Sequence, residues 1–259
     1  MEKKKIVAII QARMGSSRLR GKVLMPIVGK PMLWHIFNRV KAAKLIDRIV
    51  IATSTESEDD KITNFCIKHN IEVFRGSRDD VLERYYLAAK KYKADIVVRI
   101  TADCPLIDPK IIDKTIKFYI DDSYDLAGIA TGAGASQKKI NKFPDGLDCT
   151  VFSMESLETS NKNAADKDDR EHVTLYITKR PKEFKIGTLN SSKDYSNVRL
   201  TVDHKEDLKL VRIIYKELYP TNKVFGLFDI IGLIKDRPEL LKINQKYIGR
   251  EGYDKLWQK

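Results

Sequence analysis

The segment that follows the first apolar run has the clearest chemical pattern in the chain. Residues 6–10 predict a buried strand, and residues 11–22 then read Gln-Ala-Arg-Met-Gly-Ser-Ser-Arg-Leu-Arg-Gly-Lys. Small residues let backbone N–H groups approach a ligand closely, and here they are Gly15, Ser16, Ser17 and Gly21. The cations that accompany them are Arg13, Arg18, Arg20, Lys22 and Lys30. The segment therefore predicts a loop that binds a polyphosphate.

Neither common phosphate-loop motif fits this segment. A Walker A loop has four residues between its glycines and then Lys-Ser/Thr. In this chain five residues separate Gly15 from Gly21, and Lys22 precedes Val23. The chain also lacks the G-x-G-x-x-G motif of dinucleotide-binding folds. The residues alone thus indicate an anion-binding loop, with a basic surface loop as the alternative.

Two aspartates that follow directly on predicted strands are candidate Mg²⁺ ligands. Asp103 ends the run Arg-Ile-Thr-Ala-Asp, and Asp203 ends the run Arg-Leu-Thr-Val-Asp. Mg²⁺ often uses one or two protein carboxylates together with substrate phosphates and water. The alternative for Asp103 is a turn residue. The alternative for Asp203 is a helix N-cap, with Glu206 three residues later in a capping box.

Further charged residues lie in the second half of the chain, where we expect the acceptor substrate to bind. They are Asp145, Asp148, Arg170, Glu171 and His172. Asp145 stands in a Pro-Asp-Gly sequence, so a simple turn is an equal alternative for it. The spacing supports no Ser-His-Asp or Cys-His arrangement, and no protein nucleophile is predicted.

Alternating short apolar runs and helical patterns predict an α/β fold. The predicted strands are residues 6–11, 49–53, 71–74, 96–100, 125–129, 184–189 and 198–202, with a further one after a turn within 143–152. Helices are expected between the early strands and at residues 172–178, 206–218, 226–235 and 238–247, and a loop at residues 131–141. This order predicts a mostly parallel sheet with helices on both faces. Ligands bind at the carboxyl ends of such strands, which places residues 13–22 and Asp103 on one edge.

The overall composition narrows the classes of function. The 259 residues carry 48 Lys and Arg against 36 Asp and Glu, a net charge of +12, which favours an anionic ligand. The basic residues do not alternate with aromatic ones, so a nucleic-acid partner is not predicted. No apolar stretch is long enough to span a membrane and no signal-peptide pattern is present, so we expect a cytoplasmic protein. The three widely spaced cysteines are expected to be buried thiols.

Several blocks of the sequence resemble cytidylyltransferases related to CMP-KDO synthetase, and most closely the SpsF-type branch. The blocks occur in the family's order at residues 10–22, 29–32, 79–85, 99–108, 143–148, 170–174 and 202–208. The resemblance implies a Rossmann-like, GT-A-like nucleotidyltransferase fold. It also implies transfer of CMP from CTP with release of pyrophosphate, and Mg²⁺ as the cofactor.

The resemblance implies a role for each matching residue. Lys22, Arg13 and Arg18 would be the catalytic cations, and Asp103 and Asp203 would hold the metal. The nucleotide would be bound by Gln11, Ala12, Arg13, Gly15, Ser16, Ser17, Lys22, Asp80 and Thr101. The acceptor would be bound by Asp145, Asp148, Arg170, Glu171 and His172.

The chain departs from the CMP-KDO branch at three places. Gln11 replaces Pro, Cys104 replaces Glu, and residues 79–81 read Asp-Asp-Val in place of the base-contacting Gln-Ser-Gly. Nucleotidyl transfer is therefore better supported than the choice of cytosine.

Two alternative functions are considered beside nucleotidyl transfer. One is a metal-dependent glycosyltransferase, whose usual Asp-x-Asp is replaced here by Asp103-Cys-Pro. The other is a non-catalytic nucleotide-binding protein.

The domain organisation expected from these patterns is a single nucleotidyltransferase domain over residues 1–259. Within it, about residues 131–190 are predicted to form an insertion for acceptor binding and dimerisation. The family resemblance implies a homodimer. The acceptor is expected to be a phosphorylated or acidic sugar-like compound used in surface polysaccharide or glycoconjugate biosynthesis.

Overall fold

Strands and helices alternate through most of the computed structural model, which describes residues 3–131 and 141–249. The strands are β1 (Ile6–Gln11), β2 (Pro26–Ile27), β3 (Lys30–Pro31), β4 (Arg48–Ser54), β5 (Glu72–Gly76), β6 (Ile96–Thr101), β7 (Leu126–Ile129), β8 (Thr150–Ser153) and β9 (Ile186–Leu189). The helices are α1 (Met32–Lys41), α2 (Asp60–Lys68), α3 (Val81–Lys91), α4 (Pro109–Asp121), α5 (Met154–Asn163), α6 (Lys167–Glu171), α7 (Leu175–Thr178), α8 (Lys205–Leu218) and α9 (Leu227–Asp236). The predicted loop at residues 131–141 lies almost entirely outside the described residues.

Seven strands form one sheet in the order β5-β4-β1-β6-β8-β7-β9. The first four of these are parallel to one another. β8 is inserted antiparallel between β6 and β7, and β9 runs parallel to β7 at the edge. This topology confirms the predicted Rossmann-like, mostly parallel mixed sheet.

Helices cover both faces of the sheet, as the sequence predicts. Residues of β1 alternate between the two faces: Ile6, Ala8 and Ile10 face one core, whereas Val7 and Ile9 face the other. The larger core includes apolar residues of α1, α4 and α8, and the smaller one includes residues of α3 and α5. A strand buried on both faces explains the unbroken apolar run of β1.

The second half of the chain differs from the prediction in four elements. Residues 198–202 form no strand, since the only ladder contact recorded for this described segment is an isolated bridge between Asp145 and Arg199. Residues 238–247 form two short 3-10 helices, Pro238–Ile243 and Gln245–Tyr247, instead of one α-helix. The sequence does not predict α5 or α6, because both segments are largely polar.

Residues 131–190, predicted as an insertion, supply strands to the main sheet. β8 lies between two strands of the first half, and β9 forms the outer edge. Their part in acceptor binding and dimerisation stays a prediction.

The carboxyl ends of β1 and β6 meet at one edge of the sheet. Gln11 is paired with Thr101, and the N–H of Ala102 donates to the carbonyl of Gln11 at 2.9 Å. The loops that follow the two strands therefore start side by side. In the described ranges, no helix has both the length and the apolar character needed to cross a bilayer.

Candidate active site

The cationic loop after β1 closes on itself as a turn and is hydrogen-bonded to the segment that follows β4. The carbonyl of Met14 accepts from the N–H groups of Ser16 and Gly21, both at 2.9 Å. The N–H of Met14 donates to Oδ1 of Asp59 at 2.7 Å. Gly21 has a φ of 71°, a left-handed conformation that favours glycine, and it leads directly into Lys22. The turn thus returns the chain to the sheet edge with Lys22 pointing at the site.

The other residues predicted for the nucleotide line this turn. Arg13 and Ser17 have exposed side chains, and Ser16 Oγ accepts from the N–H of Leu19 at 3.3 Å. A Cβ on Gly15 would lie 2.6 Å from Oε1 of Glu58, the movable end of a flexible side chain. The backbone of Ala12 is fixed to β4 through Ala52.

Lys22 connects the two aspartates predicted to hold the metal. Its Nζ lies 2.8 Å from Asp203 Oδ1 and 3.5 Å from Asp103 Oδ2. It also donates to the carbonyl of Val202 at 2.6 Å. Burial by itself would lower the pKa of Lys22, but the charges of Asp103 and Asp203 raise it overall. The ammonium is therefore charged. It contacts two carboxylates whose residues lie 81 and 181 positions further along the chain.

Asp203 is enclosed by cations on both carboxylate oxygens. Arg18 Nη2 lies 2.7 Å from Oδ1, the atom that also contacts Lys22, and Arg199 Nη2 lies 3.0 Å from Oδ2. Burial raises the pKa of Asp203, but Lys22 and Arg18 outweigh it and hold that pKa well below its usual range. Asp203 is thus an anion oriented by three positive charges.

The capping alternative for Asp203 is wrong, because His204 is the N-cap of α8 and Asp207 takes the capping-box position expected for Glu206. The N-cap of α8 is His204, and Asp207 Oδ2 accepts from the N–H groups of His204 at 2.9 Å and Asp203 at 3.0 Å. Glu206, expected in the capping box, instead contacts Lys246 at 2.7 Å. The side chain of Asp203 is therefore available to the site, because another carboxylate satisfies the helix end.

Asp145 and Asp148 lie next to these aspartates. Asp145 Oδ2 contacts Arg199 Nη1 at 2.7 Å. Asp148 accepts from Thr131 Oγ1 at 2.9 Å and from the N–H of Gly146 at 3.0 Å. Burial, followed by the charge of Asp148, raises the pKa of Asp145 to about 8, and burial also raises the pKa of Asp148. Arg199 opposes this shift at Asp145 only in part, so the two carboxyl groups hold a proton more readily than exposed ones.

Backbone hydrogen bonds join the three acidic segments. The carbonyl of Asp103 accepts from the N–H of Val202 at 2.8 Å and from Thr201 Oγ1 at 3.2 Å. The N–H of Asp145 donates to the carbonyl of Val198 at 3.1 Å. Gly146 has a φ of 99°, and a Cβ there would lie 2.2 Å from the nitrogen of Thr201. Residues 198–202 thus form loop-to-loop contacts, which is why they are not a strand.

Asp80, predicted to bind the nucleotide, and Arg170, predicted to bind the acceptor, form an ion pair with each other. Arg170 Nε donates to Asp80 Oδ2 at 2.9 Å, and its Nη2 contacts the same oxygen. Asp80 Oδ1 accepts from the N–H of Glu83 at 2.9 Å and caps α3. This carboxylate, predicted for the nucleotide, is thus used by a helix end and by a residue predicted for the acceptor.

The remaining acceptor residues lie beyond this ion pair, at and just after the end of α6. Glu171 is exposed and His172 is half-buried. Burial lowers the pKa of His172, partly opposed by Glu171. The charge of Arg99 in β6 lowers the pKa of both His172 and Asp148.

Gln11 and Thr101 lie at the paired ends of β1 and β6, between the loops that follow these strands. Thr101 Oγ1 lies 3.4 Å from Cys104 Sγ. Gln11 Oε1 is buried and finds no hydrogen-bond partner within the described part of the chain. A buried unpaired acceptor at this edge is a position where a ligand donor would be stabilised.

Sequence reasoning missed four residues that hold the site together: Asp59, Arg199, Asp207 and Asn244. The Asn244 amide donates to Asp207 Oδ1 at 2.8 Å and to the carbonyl of Arg199 at 3.0 Å. Arg199, Asp203 and Asp207 are spaced four residues apart, a regularity that could have drawn attention. Nothing local singles out Asp59 or Asn244, because their partners come from distant segments.

The carboxylates of the site are of the ligand type that Mg²⁺ prefers. Within residues 3–131 and 141–249, no three His, Cys, Asp or Glu side chains converge as a metal site. Asp103 and Asp203 converge as two carboxylates around the ammonium of Lys22. Mg²⁺ commonly takes one or two protein carboxylates and completes its shell with phosphates and water. The pair therefore suits Mg²⁺ bound together with a polyphosphate.

The Rossmann-like sheet, the cationic loop after β1 and the aspartates at the same edge are the features of an α/β nucleotidyltransferase. Residues 7–244 match the family model described as cytidylyltransferase. The chain belongs to the cytidylyltransferase family and is a nucleotidyltransferase.

Individual relatives agree with this family. The chain is 33% identical over 82% of its length to the spore coat polysaccharide biosynthesis protein SpsF of Bacillus subtilis, of which 87% is covered. It is 29% identical over 68% of its length to a 3-deoxy-manno-octulosonate cytidylyltransferase of Geobacter metallireducens, of which 62% is covered. A solved cytidylyltransferase from Leptospira borgpetersenii superposes with a TM-score of 0.83 at 32% identity, covering 92% of this chain and 97% of that one. The predicted resemblance to the SpsF-type branch is confirmed.

Proposed function

We propose that this enzyme transfers CMP from CTP to a phosphorylated or acidic sugar-like acceptor and releases pyrophosphate. The family supports cytidylyl transfer, and the names of two relatives refer to a spore coat polysaccharide and to an acidic sugar. A role in surface polysaccharide or glycoconjugate biosynthesis follows from those names. The observation that carries the proposal is the contact of one buried ammonium, Lys22, with both Asp103 and Asp203.

The reaction is an in-line displacement at the α-phosphorus of CTP. An acceptor oxygen forms the new P–O bond while the bond to the bridging oxygen of pyrophosphate breaks. Negative charge is spread over the phosphoryl oxygens in the transition state, so positioning and electrostatics dominate catalysis. Lys22, Arg18 and Arg13 would neutralise the triphosphate and the leaving pyrophosphate. Arg18 and Lys22 now contact Asp203, and phosphate oxygens would become their partners when CTP binds.

Asp103 and Asp203 would hold Mg²⁺ in the enzyme–nucleotide complex. The bound ion would supply charge neutralisation and Lewis acidity at the phosphoryl group. One-third of the Asp103 side chain is exposed, whereas Asp203 is enclosed by cations. Asp103 would therefore contribute the more accessible oxygens. The depressed pKa of Asp203 keeps its carboxylate ionised, as a ligand of a hard cation must be.

The nucleotide would be recognised in part by Gln11 and Thr101, at the ends of β1 and β6. The buried acceptor Gln11 Oε1 and the neighbouring Thr101 would face the base or ribose, and the loop of Ala12, Gly15, Ser16 and Ser17 would follow the phosphates. Asp80 would act through the chain it orders at the start of α3, since its oxygens are already bound.

Binding of the acceptor would use the acidic pair and the end of α6. Asp145 and Asp148 would offer oxygens to acceptor hydroxyl groups, and Arg170, Glu171 and His172 would contribute from the end of α6. We further propose that the enzyme acts as a homodimer, as is common in the resembled family, and in the cytoplasm, where its proposed donor CTP is supplied.

The function is tested first by binding and then by turnover. Thermal shift with each of the four nucleoside triphosphates and Mg²⁺ should show the largest stabilisation with CTP. Pyrophosphate release should then be followed with CTP and a panel of sugar phosphates, sugar acids and alditol phosphates. A CTP-specific release that depends on one acceptor supports the proposal. Nucleotide binding without release from any acceptor would favour a non-catalytic nucleotide-binding protein.

A further inference from the structure

A single buried guanidinium touches both acidic groups of the site. Arg199 is 2% exposed, and its Nη1 lies 2.7 Å from Asp145 while its Nη2 lies 3.0 Å from Asp203. Asp145 belongs to the residues predicted for the acceptor, and Asp203 to those predicted for the metal. No other contact recorded in the described ranges joins these two side chains through one group.

The guanidinium is fixed from behind by a fully buried carboxylate. Arg199 Nε lies 3.1 Å from Asp207 Oδ1, and Nη2 lies 3.3 Å from Asp207 Oδ2. Asp207 is held in turn by the amide of Asn244 and by the N–H groups at the start of α8. Three carboxylates thus surround Arg199, and their charges raise its pKa although burial lowers it.

The geometry points to Arg199 as a positioning residue for nucleotidyl transfer. It sets the Asp203 and Asp145 carboxylates at one relative position, so that the metal–nucleotide and the acceptor are presented to each other in register. The inference rests on the proposed function. Lys22 and Arg18 contact Oδ1 of Asp203 and serve the triphosphate in that function, whereas Arg199 contacts Oδ2 and is retained by Asp145 and Asp207. Asp203 therefore keeps one fixed partner when the other two engage the substrate.

A planar fork is required for this role. Arginine presents five N–H donors in a rigid plane, and Arg199 directs them to three carboxylates at once. Lysine keeps the charge but offers a single flexible ammonium group. Arg199→Lys should therefore preserve the net charge of the cluster and lose the alignment of Asp203 with Asp145.

Arg39→Lys is the matched control, because Arg39 is equally buried at 2% exposed but has different partners. Its guanidinium donates to the backbone carbonyls of Leu106, Ile107 and Phe225. Mn²⁺ serves as the probe of the metal site, and its binding to the full-length protein with and without CTP is followed by electron paramagnetic resonance of the free ion.

We expect Arg199→Lys to bind Mn²⁺ about 10-fold more weakly, the size typical for residues that orient metal ligands. Its kcat should fall about 10- to 100-fold while KM for CTP stays within about threefold, since lost alignment acts on the transition state. Arg39→Lys should lower the melting temperature and leave the Mn²⁺ affinity within about twofold. Equal Mn²⁺ affinities of Arg199→Lys and wild type, or an equal loss in both variants, would overturn the inference.

A second variant covers the case in which Arg199→Lys does not fold. Asn244→Ala removes the amide that steadies Asp207 and the Arg199 carbonyl, and it should weaken Mn²⁺ binding about threefold. An unchanged affinity there overturns the inference. A wild type that releases no pyrophosphate from CTP would refute the proposed function, whereas the Mn²⁺ comparison still decides whether Arg199 positions Asp203.

Discussion

The N–H of Asp203 donates to the side chain of Asp207 at 3.0 Å, and Asp207 also accepts from the N-cap of α8. The backbone of Asp203 is therefore held by a carboxylate in the first turn of α8. This arrangement leaves the Asp203 side chain to Lys22, Arg18 and Arg199. The buried residue Asp207 consequently contributes both to the stability of the fold and to the geometry of the site.

Asp207→Asn should destabilise the protein by about 3 kcal/mol, because removing one partner of a buried ion pair leaves the other uncompensated. Asp207 is fully buried and contacts Arg199 through both oxygens. Urea unfolding followed by circular dichroism measures the loss. Asp229→Asn, which alters the exposed cap of α9, is the control and should cost about 1 kcal/mol or less. Equal losses in the two variants would contradict this account.

Lys22→Ala should lower kcat by about 100-fold or more, as expected for loss of a charge that stabilises the transferred phosphoryl group. The measurement is pyrophosphate release with CTP and the acceptor found by screening. Lys90→Ala is the control, since Lys90 is exposed near the end of α3 and lies over the Tyr86 ring. A Lys22→Ala rate equal to that of wild type would remove this residue from the catalytic set.

Chelation of Mg²⁺ with EDTA should abolish turnover, and Asp103→Asn should raise the Mg²⁺ concentration needed for half-maximal activity about 10-fold or more. The neutral amide keeps the shape of the side chain and lacks the charge that a hard cation requires. Asp121→Asn, at the exposed end of α4, serves as the control. If Asp103→Asn has the Mg²⁺ dependence of wild type, Asp103 is not a ligand.

Stability should fall as the pH rises from about 4 to about 8 because of the acidic pair. Burial and the charge of Asp148 raise the pKa of Asp145 to about 8, from 3.8 in an exposed carboxyl. In this window the folded protein keeps a proton that the unfolded chain has released, so its stability is highest at the acidic end. The depressed pKa of Asp203 acts in the opposite direction but only below about pH 4.

Asp148→Asn isolates this effect, because it removes the charge that faces Asp145. Its one oxygen can still accept from the N–H of Gly146, and the hydroxyl of Thr131 can accept from its amide group. Between pH 5.5 and 8 the wild type should lose at least about 1 kcal/mol more than the variant, given about 1.4 kcal/mol per pKa unit. Urea unfolding at the two pH values measures the difference. Parallel losses would show that the pair titrates normally.

Gly146→Ala should cost about 3 kcal/mol or more, since it combines a left-handed backbone with overlap against residues 200 and 201. A Cβ there would lie 2.2 Å from the Thr201 nitrogen, which is backbone and cannot move aside. Gly232→Ala in α9 meets nothing within 4 Å and should raise stability by about 0.5–1 kcal/mol. Thermal unfolding compares the two variants, and similar effects would show that the loop containing Gly146 adapts.

Much of the first half of the fold was predictable because its elements are local patterns. The apolar run of β1 is buried on both faces, and the loop after it is marked by its own small and basic residues. Residues 198–202 also contain buried apolar side chains, Val198, Leu200 and Val202, yet they form no strand. Their backbone groups pair with loops containing Asp103 and Asp145, and periodicity carries no information about such partners.

The sequence by itself determined the order of the main strands and helices in the first half of the chain, the loop of small and basic residues, and the positions of Asp103 and Asp203 after buried apolar runs, because these depend on neighbours along the chain. Only the tertiary structure decided that Asp207 caps α8, that Asp80 pairs with Arg170 and that Arg199 joins Asp145 to Asp203. Ion pairs and hydrogen bonds depend on distance through space, and the partners of Lys22 are 81 and 181 residues away along the chain.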